Sequence, residues 1–189
     1  METPHTIFFV GKPGSGKGTQ AKLLVEKTGW KFMSPGDWFR MMRTQDTSAG
    51  RKIRETYDAG LLQPPWLAQY VFLNSIFPLK EEDGAVFEGA GRTVPEAHFI
   101  VEALTWIGRP FKIFHLIVPD DEVRRRIELR KTIEKRTDED VVDERLKEYQ
   151  KHTDPAIEVL RSSGQLVDLD GHRTREEIAA EVREILGIQ

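Results

Sequence analysis

Short apolar runs alternate with longer amphipathic stretches along the whole chain. Thr6–Val10 (TIFFV) is β-prone, apolar and followed by a glycine, so it reads as a buried strand. Lys17–Thr28 follows as a helix, with Leu23, Leu24 and Val25 on its buried side and Gly29 at its end. Trp30–Met33 reads as a second strand. Asp37–Arg43 and Ala49–Ala59 read as helices, and Gly60 can stop the latter. Pro64-Pro65 can open another helix running to about Phe77. Ala85–Glu88 is a third strand behind the turn signal Asp83-Gly84, and Pro95–Ile107 is helical. Phe111–Val118 (FKIFHLIV) is a fourth strand. A helix then begins at Asp120-Asp121, where acidic side chains suit the dipole, and runs to about Arg130. Asp140–Leu160 is helical with an interruption near Pro155. Leu166–Leu169 is a fifth strand and Thr174–Leu186 a last helix.

Strands separated by helical segments call for parallel strands joined by right-handed crossovers. The simplest arrangement is a three-layer α/β fold, a five-stranded parallel sheet with helices on both faces. No repeat, low-complexity segment or long linker divides the chain, so residues 1–189 read as one domain.

Composition narrows the classes. Acidic residues (31) slightly outnumber basic ones (28), which argues against general nucleic-acid binding. With no cysteine, disulfides and a cysteine-based zinc site are excluded, and a reducing cytoplasm is a natural compartment. Met1–Val10 lacks the pattern of a signal peptide, and no apolar run approaches the roughly 18 residues of a membrane span.

Chemistry concentrates first between the first strand and the first helix. Gly11-Lys12-Pro13-Gly14-Ser15-Gly16-Lys17-Gly18-Thr19 has the spacing of a phosphate-binding loop, except that Gly18 directly follows the lysine. Glycines let successive backbone N–H groups converge on one point, and the following helix adds its free N–H groups and positive dipole end. Lys17 supplies a positive charge for a transferred phosphoryl group, and Thr19 can order the helix start or sit near a magnesium ion.

GKPGSGKGTQ resembles the loop GxPGxGKGTQ of the adenylate kinases, a family of nucleoside monophosphate kinases, where a glycine between lysine and threonine is the rule. The resemblance continues in order through nearly the whole chain. It implies a P-loop NTPase-type fold with a helical acceptor-binding insert over residues 34–64 and a short lid over residues 131–136. By it, Gly14, Ser15, Gly16, Lys17, Gly18 and Thr19 would bind ATP. Ser34-Pro35-Gly36-Asp37-Trp38-Phe39-Arg40 resembles S-T-G-D-L-L-R, which implies acceptor contacts from Pro35 and Arg40. A planar guanidinium can give two hydrogen bonds to one phosphate. Leu61, Leu62 and Gln63 match a stretch that touches the acceptor nucleoside through its backbone. Glu88-Gly89-Ala90-Gly91-Arg92-Thr93-Val94-Pro95-Glu96-Ala97 resembles D-G-F-P-R-T-x-x-Q-A. There Glu88 takes the place of an aspartate that helps hold magnesium through water, alongside Thr19. Gly89 and Arg92 fall at acceptor positions, and Glu96 replaces an adenine-reading glutamine.

On the donor side, Val118-Pro119-Asp120-Asp121 and Arg126-Ile127-Glu128-Leu129-Arg130 resemble V-P-D-x and R-I-x-x-R. Arg126 would lie against the donor base and Arg130 would reach its phosphates, while Arg124 and Arg125 read as a charged helix face. Arg136 and Arg145 resemble the paired arginines of R-x-D-D and R-L-x-x-Y. Gly171 and Arg173, in the loop after the fifth strand, would meet the donor adenine. His115, in an apolar strand, reads as a core histidine.

The implied reaction is transfer of the γ-phosphoryl group of ATP, with Mg²⁺, to a nucleoside monophosphate, with AMP giving ADP. Lys17, Arg92, Arg130, Arg136 and Arg145 would be its catalytic residues. The acceptor phosphate itself attacks, so the protein positions the reactants and stabilises charge. The resemblance also implies a monomer with small-molecule partners, ATP and AMP. Pro35, Ala90-Gly91 and Glu96 depart from the family pattern. They leave open GMP, CMP or UMP as acceptor, and a nucleotide-binding regulatory protein without catalysis.

Overall fold

The computed structural model describes residues 4–134 and 141–189. In chain order the elements are β1 (Thr6–Gly11), α1 (Lys17–Thr28), β2 (Lys31–Met33), α2 (Pro35–Met42), α3 (Ser48–Asp58), α4 (Pro65–Ile76), β3 (Ala85–Glu88) and α5 (Val94–Ile107). Then come β4 (Phe111–Ile117), α6 (Asp120–Glu134), α7 (Val142–Glu148), one turn of π-helix (Tyr149–Thr153), α8 (Asp154–Ser162), β5 (Leu166–Asp170) and α9 (Arg175–Leu186).

The strands form one parallel sheet in the order β2-β3-β1-β4-β5. Central β1 is buried along its whole length, so its sequence is continuously apolar rather than alternating. Its side chains nevertheless divide with the two-residue strand period. Phe8 and Val10 enter a core with Phe72 of α4, Ile100 and Leu104 of α5, and Ile157 and Leu160 of α8. Ile7 and Phe9 enter the opposite core with Ala21 and Leu24 of α1 and Ile178 and Val182 of α9. The helices following β1 and β3 thus lie on opposite faces, and a crevice opens at the carboxyl ends of these neighbouring strands. Open α/β sheets place ligands at such a switch point.

Some helix boundaries differ from expectation. α6 extends to Glu134 instead of ending near Arg130. The helix expected over Asp140–Leu160 with an interruption near Pro155 is indeed divided there, into α7, the π-turn and α8, with residue 140 outside the described residues. Pro155 explains the break. It has no N–H to donate, and in an α-helix its ring would clash with the carbonyl four residues back, that of Lys151. The chain widens instead, and Asp154 N–H donates to the carbonyl of Tyr149, five residues back. α2 starts two residues earlier than expected because Ser34 caps it, its Oγ accepting from Asp37 N–H at 3.2 Å. Away from the sheet, α2, α3 and α4 share a small core of Phe39, Ile53 and Val71, with Trp38, Met42 and Tyr57 packed on it.

Candidate active site

The loop between β1 and α1 is closely fitted. Gly14 has φ +75°, and a Cβ there would lie 2.9 Å from Ile127 Cγ1 of α6. Such a φ strains any residue with a side chain. α1 begins with Lys17, carries no acidic side chain in its first turn, and receives no side-chain cap among the described residues. The positive end of such a helix favours an anion. The Lys17 ammonium donates to the carbonyl of Lys12 at 3.0 Å and stands 3.7 Å from Glu88 Oε1. Among the described residues, the buried side-chain polar atoms without a partner are Ser15 Oγ, Gln20 Oε1 and Arg173 Nε. All three residues border the same cleft as the loop. Their hydrogen-bonding capacity suits a polar, phosphate-bearing ligand.

α6 closes one side of the cleft. Arg126 donates from Nη1 to the carbonyl of Ser15 at 3.2 Å and from Nη2 to that of Gly171 at 2.8 Å. Its Nε is held by Glu122 at 2.6 Å. One guanidinium thus spans the phosphate loop and the loop after β5. Glu122 is pulled down to about 2 by its hydrogen bonds to Arg125 and Arg126, so it stays ionised. Behind the loop, Lys12 reaches Asp120 at 2.5 Å and the Val118 carbonyl at 3.1 Å, tying the loop to the end of β4.

The opposite wall comes from the ends of β2 and β3, the α2–α3 insert and α7. Arg40 on α2 donates to Tyr57 Oη at 2.9 Å and pairs with Asp37. Burial works against its charge, but Tyr57 and Asp37 outweigh that and hold it more firmly protonated. Burial would raise the Glu88 carboxyl. The charges of Lys17, Arg92 and Arg40 and a hydrogen bond from Ser34 overcome this and keep it below its ordinary value. Leu62 N–H donates to Glu148 of α7 at 3.2 Å, and Gln63 Nε2 braces back to Thr56 Oγ1 of α3 at 2.6 Å. Leu61, Leu62 and Gln63 therefore line the cleft as a pinned segment.

Arg92 sits in the turn after β3. Its Nε donates to the Gly89 carbonyl at 2.8 Å, its N–H donates to Glu96 Oε2 at 3.1 Å, and its carbonyl accepts from Thr153 Oγ1 at 3.0 Å. Gly91 has φ +73°, which a proline could not adopt. Glu96 Oε1 also accepts from Thr93 Oγ1 at 2.9 Å, so this carboxylate holds the turn that carries Arg92. Burial pushes the Glu96 carboxyl up, only partly offset by the Arg92 N–H, Thr93 and the Arg92 charge.

These walls enclose one cleft of about 620 Å³. It brings together the loop residues Gly14 to Thr19, Arg126, Gly171 and Arg173 on one side. On the other it gathers Pro35, Arg40, Glu88, Gly89, Arg92, Glu96 and Arg145. Arg130 lies on α6, with its side chain outside the described part of the chain, and Arg136 lies outside the described residues. The lid expected at residues 131–136 falls partly on the end of α6 and partly outside the described residues. No cluster of three or more His, Asp or Glu able to hold a metal occurs among the described residues. Glu88 beside the loop is a single carboxylate. Such a donor set suits magnesium, which keeps several waters and binds through one or two carboxylates plus substrate phosphates.

Comparison with known proteins agrees with this geometry. Residues 9–165 match the family model described as adenylate kinase. An adenylate kinase of Thermus thermophilus is 33% identical over 193 aligned residues, spanning 100% of both chains. One from Maricaulis maris is 34% identical, covering 92% of this chain and 94% of that protein. One from Cyanothece is 30% identical over 95% of this chain and 94% of that protein. The chain belongs to the adenylate kinase family.

Against the adenylate kinase pattern, the Ala90-Gly91 turn takes a backbone route that the usual proline could not follow. Among the cleft residues that sequence reasoning gave no role are Tyr57, Glu148, Tyr149 and Thr153. Their signal is indirect. Tyr57 and Glu148 look like ordinary helix positions, while Pro155 marks the widened turn that carries Tyr149 and Thr153. Arg124 pairs with Asp143 at the surface, as a charged face should, but Arg125 borders the cleft. His115 is held by Asp168 at 2.9 Å and Tyr149 at 3.2 Å, a structural setting.

Proposed function

We propose that this cleft carries out the reaction of its family, transfer of the γ-phosphoryl group of ATP to AMP, giving two ADP. The observation that carries the reading is one continuous cleft with two cationic walls. The phosphate loop and Arg126 stand on one side, and Arg40, Arg92 and Arg145 on the other. Two phosphate-bearing ligands can meet there end to end.

In this reading Gly14 to Thr19 and the start of α1 hold the donor phosphates. Lys17, nearly buried, follows the transferred group. Arg126 and Arg173 bound the donor nucleoside, with Gly171 against it, and Arg130 reaches the donor phosphates. Arg40 and Arg92 bind the acceptor phosphate, which attacks in line. Pro35, Leu61, Leu62, Gln63, Gly89 and Glu96 shape the acceptor pocket. Arg136 and Arg145 stabilise charge on the phosphoryl group in flight. Thr19 and, through water, Glu88 would hold magnesium, which supplies charge neutralisation between the phosphates. The insert of residues 34–64 and the lid of residues 131–136 close over the ligands, keeping out the water that would otherwise compete as acceptor. The resemblance to short-lid adenylate kinases supports a monomer as the working unit. ATP and AMP in a reducing cytoplasm are its partners. No helix among the described residues is long and apolar enough to cross a membrane.

Steady-state kinetics of three variants test the assignment. Arg92→Ala should lose kcat on the order of 10³-fold, the scale of a catalytic arginine in phosphoryl transfer. Arg40→Ala should raise KM for AMP roughly 10-fold or more, the weight of a charged hydrogen bond, with little change for ATP. Arg126→Ala should do the reverse. Wild-type turnover in Arg92→Ala, or the same KM pattern from both wall variants, would overturn the two-sided reading.

A further inference from the structure

The turn that carries Arg92 has little stiffness of its own. Gly89 and Gly91 both sit in left-handed backbone, at φ +76° and +73°, with only Ala90 between them. Glycine is the most mobile residue, and no proline fixes this route. Yet the peptide of Arg92 is held from both sides. Glu96 accepts its N–H, and the hydroxyl of Thr153 donates to its carbonyl at 3.0 Å across 61 positions of sequence.

Thr153 is the last residue of the π-turn and is 5% exposed. The turn is itself anchored. Its first residue, Tyr149, is buried and hydrogen-bonds through Oη to His115 Nε2 of strand β4 at 3.2 Å. His115 Nδ1 meets Asp168 of β5 at 2.9 Å, and Asp168 is gripped by Arg161 of α8 at 2.7 and 3.1 Å. Four residues before Tyr149, Arg145 projects from α7 into the same cleft. The extra residue of a π-turn shifts the register between the helices on either side. π-turns recur at functional sites for that reason.

We propose that the π-turn Tyr149–Thr153 is a post that sets the position of Arg92 relative to Arg145. Thr153 is the positioning residue for Arg92, and Tyr149 fixes the post to the sheet. The proposal rests on the assignment of Arg92 to phosphoryl transfer. Thr153 acts on the reaction only through Arg92. Displacing a positioned group by about 1 Å can cost on the order of 10²-fold in rate.

The test is a double-mutant cycle in steady-state kinetics, with thermal stability measured on every variant. Thr153→Val keeps the shape and deletes the hydroxyl. It should lower kcat on the order of 10-fold and leave KM for ATP unchanged. Thr153→Ser should restore turnover to within about twofold, because net worth of one hydrogen bond is small and this one is kept. In an Arg92→Ala background, Thr153→Val should cost nothing further. A role confined to folding would instead lower turnover by the same factor in both backgrounds. Wild-type kcat in Thr153→Val, or equal losses with valine and serine, overturns the proposal. If the valine variant does not fold, Tyr149→Phe carries the test. It should lower kcat without moving KM for ATP, and wild-type kcat there overturns the anchored post. Full activity in Arg92→Ala alone would instead sink the assignment of Arg92.

Discussion

At the scale of single residues, the carboxylates at the acceptor wall show how environment, not residue type, decides the role. Glu88 lies among Lys17, Arg92 and Arg40 and is held ionised although it is largely buried. Glu96, a few residues on, is buried among hydrogen-bond donors with less charge about it, and its carboxyl is pushed up. The sequence shows both only as glutamates in a conspicuous turn. It suggests a base-reading role for Glu96, and in the structure its oxygens also accept from the Arg92 N–H and Thr93 Oγ1. A group whose native carboxyl is raised holds a proton that the unfolded chain releases. The stability of the protein should therefore fall as pH rises from the ordinary glutamate range through the raised native value. Glu96→Gln should flatten that part of the curve, because glutamine does not titrate, and can still accept the Arg92 N–H. Urea unfolding across a pH series checks this. An unchanged slope in the glutamine variant would mean that Glu96 is not the group responsible.

At the scale of elements, the strands and most helices were legible because their signals are local. The mainly apolar TIFFV and FKIFHLIV runs admit little but buried parallel strands, and glycines mark several helix ends. The π-turn was legible only as a disturbance near Pro155. Its geometry depends on partners at Arg92 and His115, which no local pattern reveals. The α2–α3 corner is another tertiary feature. Gly50, in the first turn of α3, faces backbone from α2 and the loop, and a Cβ there would meet the carbonyl of Gln45 and come within 2.8 Å of that of Met42. Gly50→Ala should destabilise the protein by about 1–3 kcal/mol, the usual cost of overpacking against atoms that cannot yield. Because the insert carries Arg40, the same change should raise KM for AMP while leaving KM for ATP near its wild-type value. Unfolding curves and initial rates test both halves. A rise confined to ATP would show that the insert serves the donor.

At the scale of the whole molecule, the sheet order places two loops side by side at the carboxyl ends of β1 and β3. One is the glycine-rich loop that opens α1, and the other presents Arg92. The formal charge of the chain is only −3, yet Lys17, Arg40, Arg92, Arg126, Arg145 and Arg173 all border one cleft. Motif order made this convergence legible, since each arginine follows a strand end or sits on a helix beside the crevice. The exact clamps were not legible: Arg126 bridges two carbonyls, and Thr153 reaches Arg92 from a distant helix. Pro35 and the Ala90-Gly91 turn change the acceptor wall without removing any of its cations. The central claim is that this cleft moves one phosphoryl group between two nucleotides. It is tested most directly by following ADP formation from MgATP with AMP, and with GMP, CMP and UMP for comparison. Two ADP formed for each ATP consumed, with AMP and only weakly with the others, is the expected result. Protein that binds ATP yet forms no diphosphate with any of the four would contradict it.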